Sequence, residues 1–189
     1  MATTGHFRVE PRLIQILGAQ YHSTEDALKE LVANAWDADA TRVDITLPAP
    51  LTADPIVIHD NGYGMTPREI DAEYLTIAFD RRQSSGDRTP RGRLVRGYRG
   101  IGKFAGLIAA DTMIVSSISR GAQSRLELSR AELEGRREDL ETAPIPIETV
   151  HDVDGAGTIV ELSNLRQSFA HPVCRQACAG SPSRVWPPG

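Results

Sequence analysis

The apolar residues of this chain change their spacing partway along it. Up to about residue 40 they recur at helical intervals, whereas beyond residue 110 most of them alternate or form short β-branched runs. A chain with helices first and most strands later builds a separate helical layer and sheet layer rather than alternating βαβ units. The expected class is therefore α+β: a two-layer α/β sandwich, a mixed β-sheet with helices on one face.

The local signals fill in this outline. "PRLIQILGAQY" reads as a first helix, and "STEDALKELVANAWDADA" as a second, with Ser23 or Thr24 as its N-cap and Glu25 and Asp26 in its first turn. "RVDITLP" and "PIVIHD" read as strands, the second of them running into the turn "DNGYGM". "TPREIDAEYLTIAF" opens with Thr66, Pro67 and Glu69 in capping-box spacing, which predicts a helix. "DRRQSSGDRTPRGRLVRGYRG", from Asp80 to Gly100, is polar and without period, as a long mobile loop would be. "IGKFAGLIAADT" reads as a helix entered from glycine, and "TMIVSSIS", "SRLELS", "PIPIETV" and "GTIVELSNL" as strands, with the charged "RAELEGRREDLET" between the second and third.

Three segments carry chemistry. On the second helix Glu30, Asn34 and Asp37 fall at i, i+4, i+7, a polar stripe beside the apolar one formed by Ala27, Leu28, Leu31, Val32 and Ala35. In "HDNGYGM" a carboxylate, Asp60, ends a strand and precedes glycines that expose backbone. Such a group can accept from an exocyclic amine, with Met65 as a soft contact. "GYRGIGKF" nearly spells a Walker A loop, but Phe104 stands where a hydroxyl must reach magnesium, which argues against a P-loop. Its glycines can still bring backbone N–H groups and a helix N-terminus to an anion.

The formal charge of −4 argues against a generally basic nucleic-acid binder. Both cysteines, Cys174 and Cys178, lie near the C-terminus, a pattern that suits a reducing compartment, and the spacing of "CRQAC" and of the five histidines gives no zinc site. No apolar run reaches the roughly 18 residues of a membrane span. These features lead to the expectation of a cytoplasmic protein with no membrane association.

Taken in order, "ELVANAWDAD", "DNGYGM", "GYRGIGKFAG" and "GTIVEL" resemble the four nucleotide-binding boxes of the GHKL ATPases, the superfamily of gyrase B, the ninety-kilodalton heat-shock chaperone, histidine kinases and MutL. The look is closest to the chaperone, MutL and MORC side, and the match runs from about Leu13 to Leu165. It implies the Bergerat-type ATP-binding fold, with ATP and Mg²⁺ as cofactors. By the same resemblance Asn34 would ligate Mg²⁺ and Glu30 would orient or deprotonate the attacking water. Asp60 would take the adenine amine with Thr158, while Gly62, Gly64 and Met65 would shape the adenine wall. Arg99, Gly100, Ile101, Gly102, Lys103 and Phe104 would form the phosphate turn. Asp37 fits the "NAxDA" pattern and is expected to brace neighbouring structure.

The domain implied spans residues 1–165, with an ATP lid at about 80–100 that is rich in arginine: Arg81, Arg82, Arg88, Arg91, Arg93, Arg96 and Arg99 against Asp80 and Asp87. Residues 166–189 read as an irregular or disordered tail, or as the point where a longer chain is cut. The leading functional expectation is an ATP-hydrolysing conformational module that dimerises with ATP and serves a nucleic-acid or protein client through downstream regions. A histidine-kinase-like catalytic domain and an ATP sensor without turnover are the alternatives.

Overall fold

The two-residue period beyond residue 110 becomes the inner face of a seven-stranded sheet. The structure is a computed structural model that describes residues 2–6, 13–76, 86–97, 100–135 and 144–166. Its strands are β1 (Ala2–His6), β2 (Val43–Thr46), β3 (Ile56–Asp60), β4 (Ala110–Ser119), β5 (Ala122–Ser129), β6 (Pro144–His151) and β7 (Gly157–Leu165), in the order β1-β6-β5-β4-β7-β3-β2. Every neighbouring pair is antiparallel, so the expected two-layer sandwich is present but its sheet is not mixed. One pair is set by its turn. β4 and β5 are joined by Arg120 and Gly121, both at positive φ (50° and 79°), the hairpin geometry that suits strand twist. β1 leaves no signal in the sequence, because "ATTGH" shows no apolar alternation and joins the sheet edge through its backbone pairing with β6.

Register aligns the inward residues in rows across the sheet. One row is Ile56, Leu162, Met113 and Leu128; the next is Ile58, Val160, Val115, Leu126 and Ile147. All are buried, each contributing roughly 1.5–3 kcal/mol of transfer free energy. The third row changes character: Asp60, Thr158, Ser117, Ser124 and Thr149. The polar row lies at one end of the apolar core and marks where the site begins.

Five helices are described: α1 (Leu13–Gln20), α2 (Thr24–Asp37), α3 (Pro67–Glu69), α4 (Gly106–Ala109) and α5 (Arg130–Gly135). Leu17, Leu31, Ile70, Phe104 and Leu107 from the helical layer join the two apolar rows in one core. α2 begins as its sequence predicts, with the Ser23 hydroxyl accepting from Asp26 N at 3.2 Å. The capping box of α3 is also formed, but only its first turn is α-helical. Ile70–Tyr74 then widen into a π turn, and the expected continuation beyond residue 76 lies outside the described residues. The expected helix over "IGKFAGLIAADT" divides into a 3₁₀ turn at Gly102–Phe104 and the four-residue α4, because Ala110 already enters β4.

Candidate functional site

The stripe on α2 faces the glycine turn across a narrow gap. Gly102 sits so close to Glu30 that a Cβ there would collide with the Glu30 Oε2 atom, with the Tyr21 hydroxyl 3.5 Å away on the same side. A Cβ on Gly97 would likewise lie 3.8 Å from Asn34 Oδ1. A larger residue at 102 would push the Glu30 carboxylate from its place against the turn.

Asp37 is buried and points at backbone rather than at the gap. Its carboxylate accepts from the N–H of Arg96 at 2.8 Å and of Gly97 at 2.7 Å. Two residues on, Asp39 is held at positive φ (58°) and accepts from the Thr89 hydroxyl at 2.5 Å and from Arg91 N at 3.0 Å. Trp36 Nε1 donates to Leu94 O at 3.1 Å, and its ring lies under the guanidinium groups of Arg93 (4.5 Å) and Arg96 (5.3 Å). Residues 86–97, which by sequence belong to a mobile loop, are thus fastened along the C-terminal end of α2. The remainder of the expected lid, residues 80–85 and 98–99 with Arg99 among them, lies outside the described residues.

At the other end of the site β3 and β7 place Asp60 opposite Thr158. Gly62 N donates to Asp60 Oδ1 at 2.8 Å. Burial raises the Asp60 carboxyl above its ordinary range, opposed by the N–H groups of Gly62 and Thr158 and by His59. Behind this pair stands Ser117, fully buried on β4. Its hydroxyl accepts from Met65 N at 2.8 Å, lies 3.3 Å from Gly157 O and 3.0 Å from Thr158 Oγ1. Gly64 completes the loop at φ +64°, packed so tightly on β4 that a Cβ would collide with the carbonyl of Ile118.

Within the expected phosphate turn, the parts are not all as the sequence suggests. Phe104 is buried with its ring edge-on to Tyr74 at 5.6 Å, and its N–H is taken by Ile101 O at 3.0 Å. Ile101 is buried with it. The helix expected to aim its positive end at an anion is only a 3₁₀ turn followed by the short α4. Lys103 is engaged elsewhere: its amine donates to Glu73 O and Thr76 O, both at 2.7 Å. Burial pushes its pKa from 10.5 down to about 7, with Glu73 opposing the shift. A neutral amine has two N–H donors, and the two carbonyls take both. Since only the unprotonated amine is nucleophilic, acylation of Lys103 by an amine-reactive reagent should rise through about pH 7 rather than near 10.5. Peptide mass spectrometry across pH would check this, and a rise confined to high pH would contradict it.

These elements enclose a cavity of about 480 Å³, within the size range of small-molecule sites. Of the residues singled out in the sequence, Glu30, Asn34, Asp37, Asp60, Gly64, Met65, Gly100, Gly102, Lys103 and Thr158 line it. Gly62, Ile101 and Phe104 support it from behind. Arg96 and Tyr21 line it as well; the sequence counts Arg96 among the lid arginines without singling it out, whereas Tyr21 and Ser117 were missed, although a serine at an inward strand position among Met and Val is a readable signal. No cluster of three or more His, Cys, Asp or Glu side chains is placed to hold a metal ion among the described residues. A divalent cation at Asn34 would therefore take most of its ligands from a bound phosphate and water, which is the habit of Mg²⁺. Nor is any helix among the described residues long and apolar enough to cross a membrane.

Comparison with known proteins agrees with this geometry. Residues 21–158 match the family model described as histidine kinase-, DNA gyrase B-, and HSP90-like ATPase. The chain is 38% identical over 105 residues to a Herpetosiphon aurantiacus protein named "Putative type II restriction enzyme HgiDII", covering 56% of this chain and 16% of that one. It is 31% identical over 122 residues to the chaperone protein HtpG of Verminephrobacter eiseniae (53% of this chain, 18% of the relative). To HtpG of Pseudoalteromonas translucida it is 29% identical over 163 residues (70% and 25%). The matched region spans a quarter or less of each of these relatives.

Proposed function

The chain belongs to the histidine kinase-, DNA gyrase B- and HSP90-like ATPase family, and on that basis we propose that it binds ATP with Mg²⁺ and hydrolyses the terminal phosphate. The observation that supports this best is convergence. A buried carboxylate with a neighbouring hydroxyl lies at one end of the cavity, and a carboxylate–carboxamide pair faces a glycine turn at the other.

In this reading Asp60 accepts from the exocyclic amine of adenine, with Thr158 beside it and Met65 against the ring. Burial raises its carboxyl above the ordinary range, while Gly62 N fixes the orientation of one oxygen. Asn34 offers its side-chain oxygen to the cation, which when bound would neutralise phosphate charge and polarise the bond to be broken. Glu30, one turn away on the same face, orients a water and accepts its proton. Gly100 and Gly102 let the triphosphate lie close to backbone.

The wider cycle belongs to the same proposal: nucleotide orders the segment around residues 80–100, two copies associate, and hydrolysis resets them. Because the relatives are four or more times longer than the region they share with this chain, we read it as the nucleotide-driven part of a larger machine acting on a protein or nucleic-acid client.

The test is titration calorimetry with ATP on the wild-type chain and on Asp60→Asn, with tracing of γ-labelled phosphate beside it. A charge-assisted hydrogen bond is worth roughly 1.5–3 kcal/mol, so Asp60→Asn should weaken ATP about ten- to a hundredfold. Unchanged affinity would reject the adenine assignment. Label released as free phosphate supports hydrolysis, label on protein points to a kinase, and retained ATP points to a sensor.

A further inference from the structure

Among the charged residues that line the cavity, acids outnumber cations. Glu30, Asp37, Asp60, Glu69 and Glu73 face cations from only two described residues, Arg96 and Lys103. Lys103 is held away from the proposed phosphate end by donation to Glu73 O and Thr76 O. A ligand with several phosphate charges placed in such a cavity needs a cation besides the metal, and Arg96 is the described side chain positioned to supply it.

Its placement is built rather than incidental. Asp37 holds the backbone N–H of Arg96 and of Gly97, and Gly97 lies over Asn34, the proposed metal ligand. The Arg96 guanidinium rests 5.3 Å above the Trp36 ring. Trp36 in turn is pinned by its own donation to Leu94 O. The backbone is thereby fixed next to the glycine that lies near Asn34. A guanidinium also matches phosphate oxygens in a bidentate fork, which an ammonium does not.

We infer that Arg96 binds the terminal phosphate of the nucleotide, brought beside Asn34 by the Asp37 clamp and held over Trp36 when that phosphate is absent. This rests on the nucleotide reading above and adds to it that the site distinguishes a triphosphate from a diphosphate through a residue of its own chain. Asp37 and Trp36 act here as positioning residues.

Calorimetry on the full 189-residue chain tests the inference without turnover, using Mg²⁺ with the β,γ-imido analogue of ATP and, separately, with ADP. Arg96→Ala should weaken the imido analogue about ten- to a hundredfold and change ADP by less than about twofold; Arg96→Lys should recover part of the loss. Should Arg96→Ala melt early, Arg96→Gln gives the same comparison. Equal losses for both nucleotides would overturn the terminal-phosphate assignment, and no loss for either would overturn any role for Arg96 in binding. A wild-type chain that binds neither nucleotide would instead overturn the nucleotide reading, and this inference with it.

Discussion

Glu30→Gln should retain ATP and lose its hydrolysis. The substitution keeps the length and hydrogen-bonding reach of the side chain but removes the proton acceptor. General-base catalysis is typically worth about 10²–10⁴ in rate, and phosphate release should fall by that factor. Affinity should change little, because Glu30 lies against the glycine turn whereas Asp60 and Thr158, proposed to hold the base, lie elsewhere in the cavity. The measurement is steady-state phosphate release beside calorimetric binding of ATP. Turnover at the wild-type rate would remove Glu30 from the mechanism; a matched loss of binding would make it a ligand-holding residue instead.

Gly64→Ala is expected to be the most damaging single methyl group at the Asp60 end of the cavity. Two costs add there. Positive φ (64°) is strained for any side chain, and the new Cβ would collide with the carbonyl oxygen of Ile118, a backbone atom inside a ladder that cannot swing aside. To relieve it, the loop must lift from β4 and give up the bond from Met65 N to Ser117. We expect a loss of about 2–4 kcal/mol, a melting point lower by roughly 5–15 °C, and ATP affinity weakened in parallel. Gly92→Ala is the control: φ is also positive (82°) but nothing lies within 4 Å, so only the backbone cost remains. Equal effects at 64 and 92 would show that the close approach to Ile118 carries no weight.

How far the sequence could be read depended on whether a signal was local. The capping box at Thr66 and Glu69, the Ser23 cap and the alternation of β4 are each complete within a few residues, and each formed as expected. The strand neighbours were not local. Whether the sheet was mixed or antiparallel rested on connections whose geometry, such as the paired positive φ at Arg120 and Gly121, leaves little trace in composition. The expected helix around α4 runs too far because "GLIAADT" is a fair helix by propensity, yet pairing of Ala110 with Leu165 claims it for the sheet. At the site, the boxes brought Glu30, Asn34, Asp60, Gly102 and Thr158 to one cavity. What escaped were contacts spanning long separations. Asp37 is expected from its box to brace neighbouring structure, but the partners of Asp37 and of Asp39 come from about fifty positions away or more and are not legible locally. Closeness in sequence to the glycines favours Arg99 over Arg96, a criterion blind to the Asp37 clamp.

The hydroxyl of Ser117 has one proton and several neighbours. It already accepts from Met65, so its own hydrogen can go either to the carbonyl of Gly157 or to Thr158. In the first case Thr158 must donate to Ser117 and can offer the cavity only lone pairs. In the second, the Thr158 proton is released to point into the cavity. The hydrogen-bond character shown to whatever lies beside Asp60 is thus set by the rotation of a single buried O–H, without displacement of any heavy atom. Ser117→Ala would remove that coupling, leaving the Thr158 hydroxyl without its partner on β4 and its O–H no longer set by the rotation of another residue.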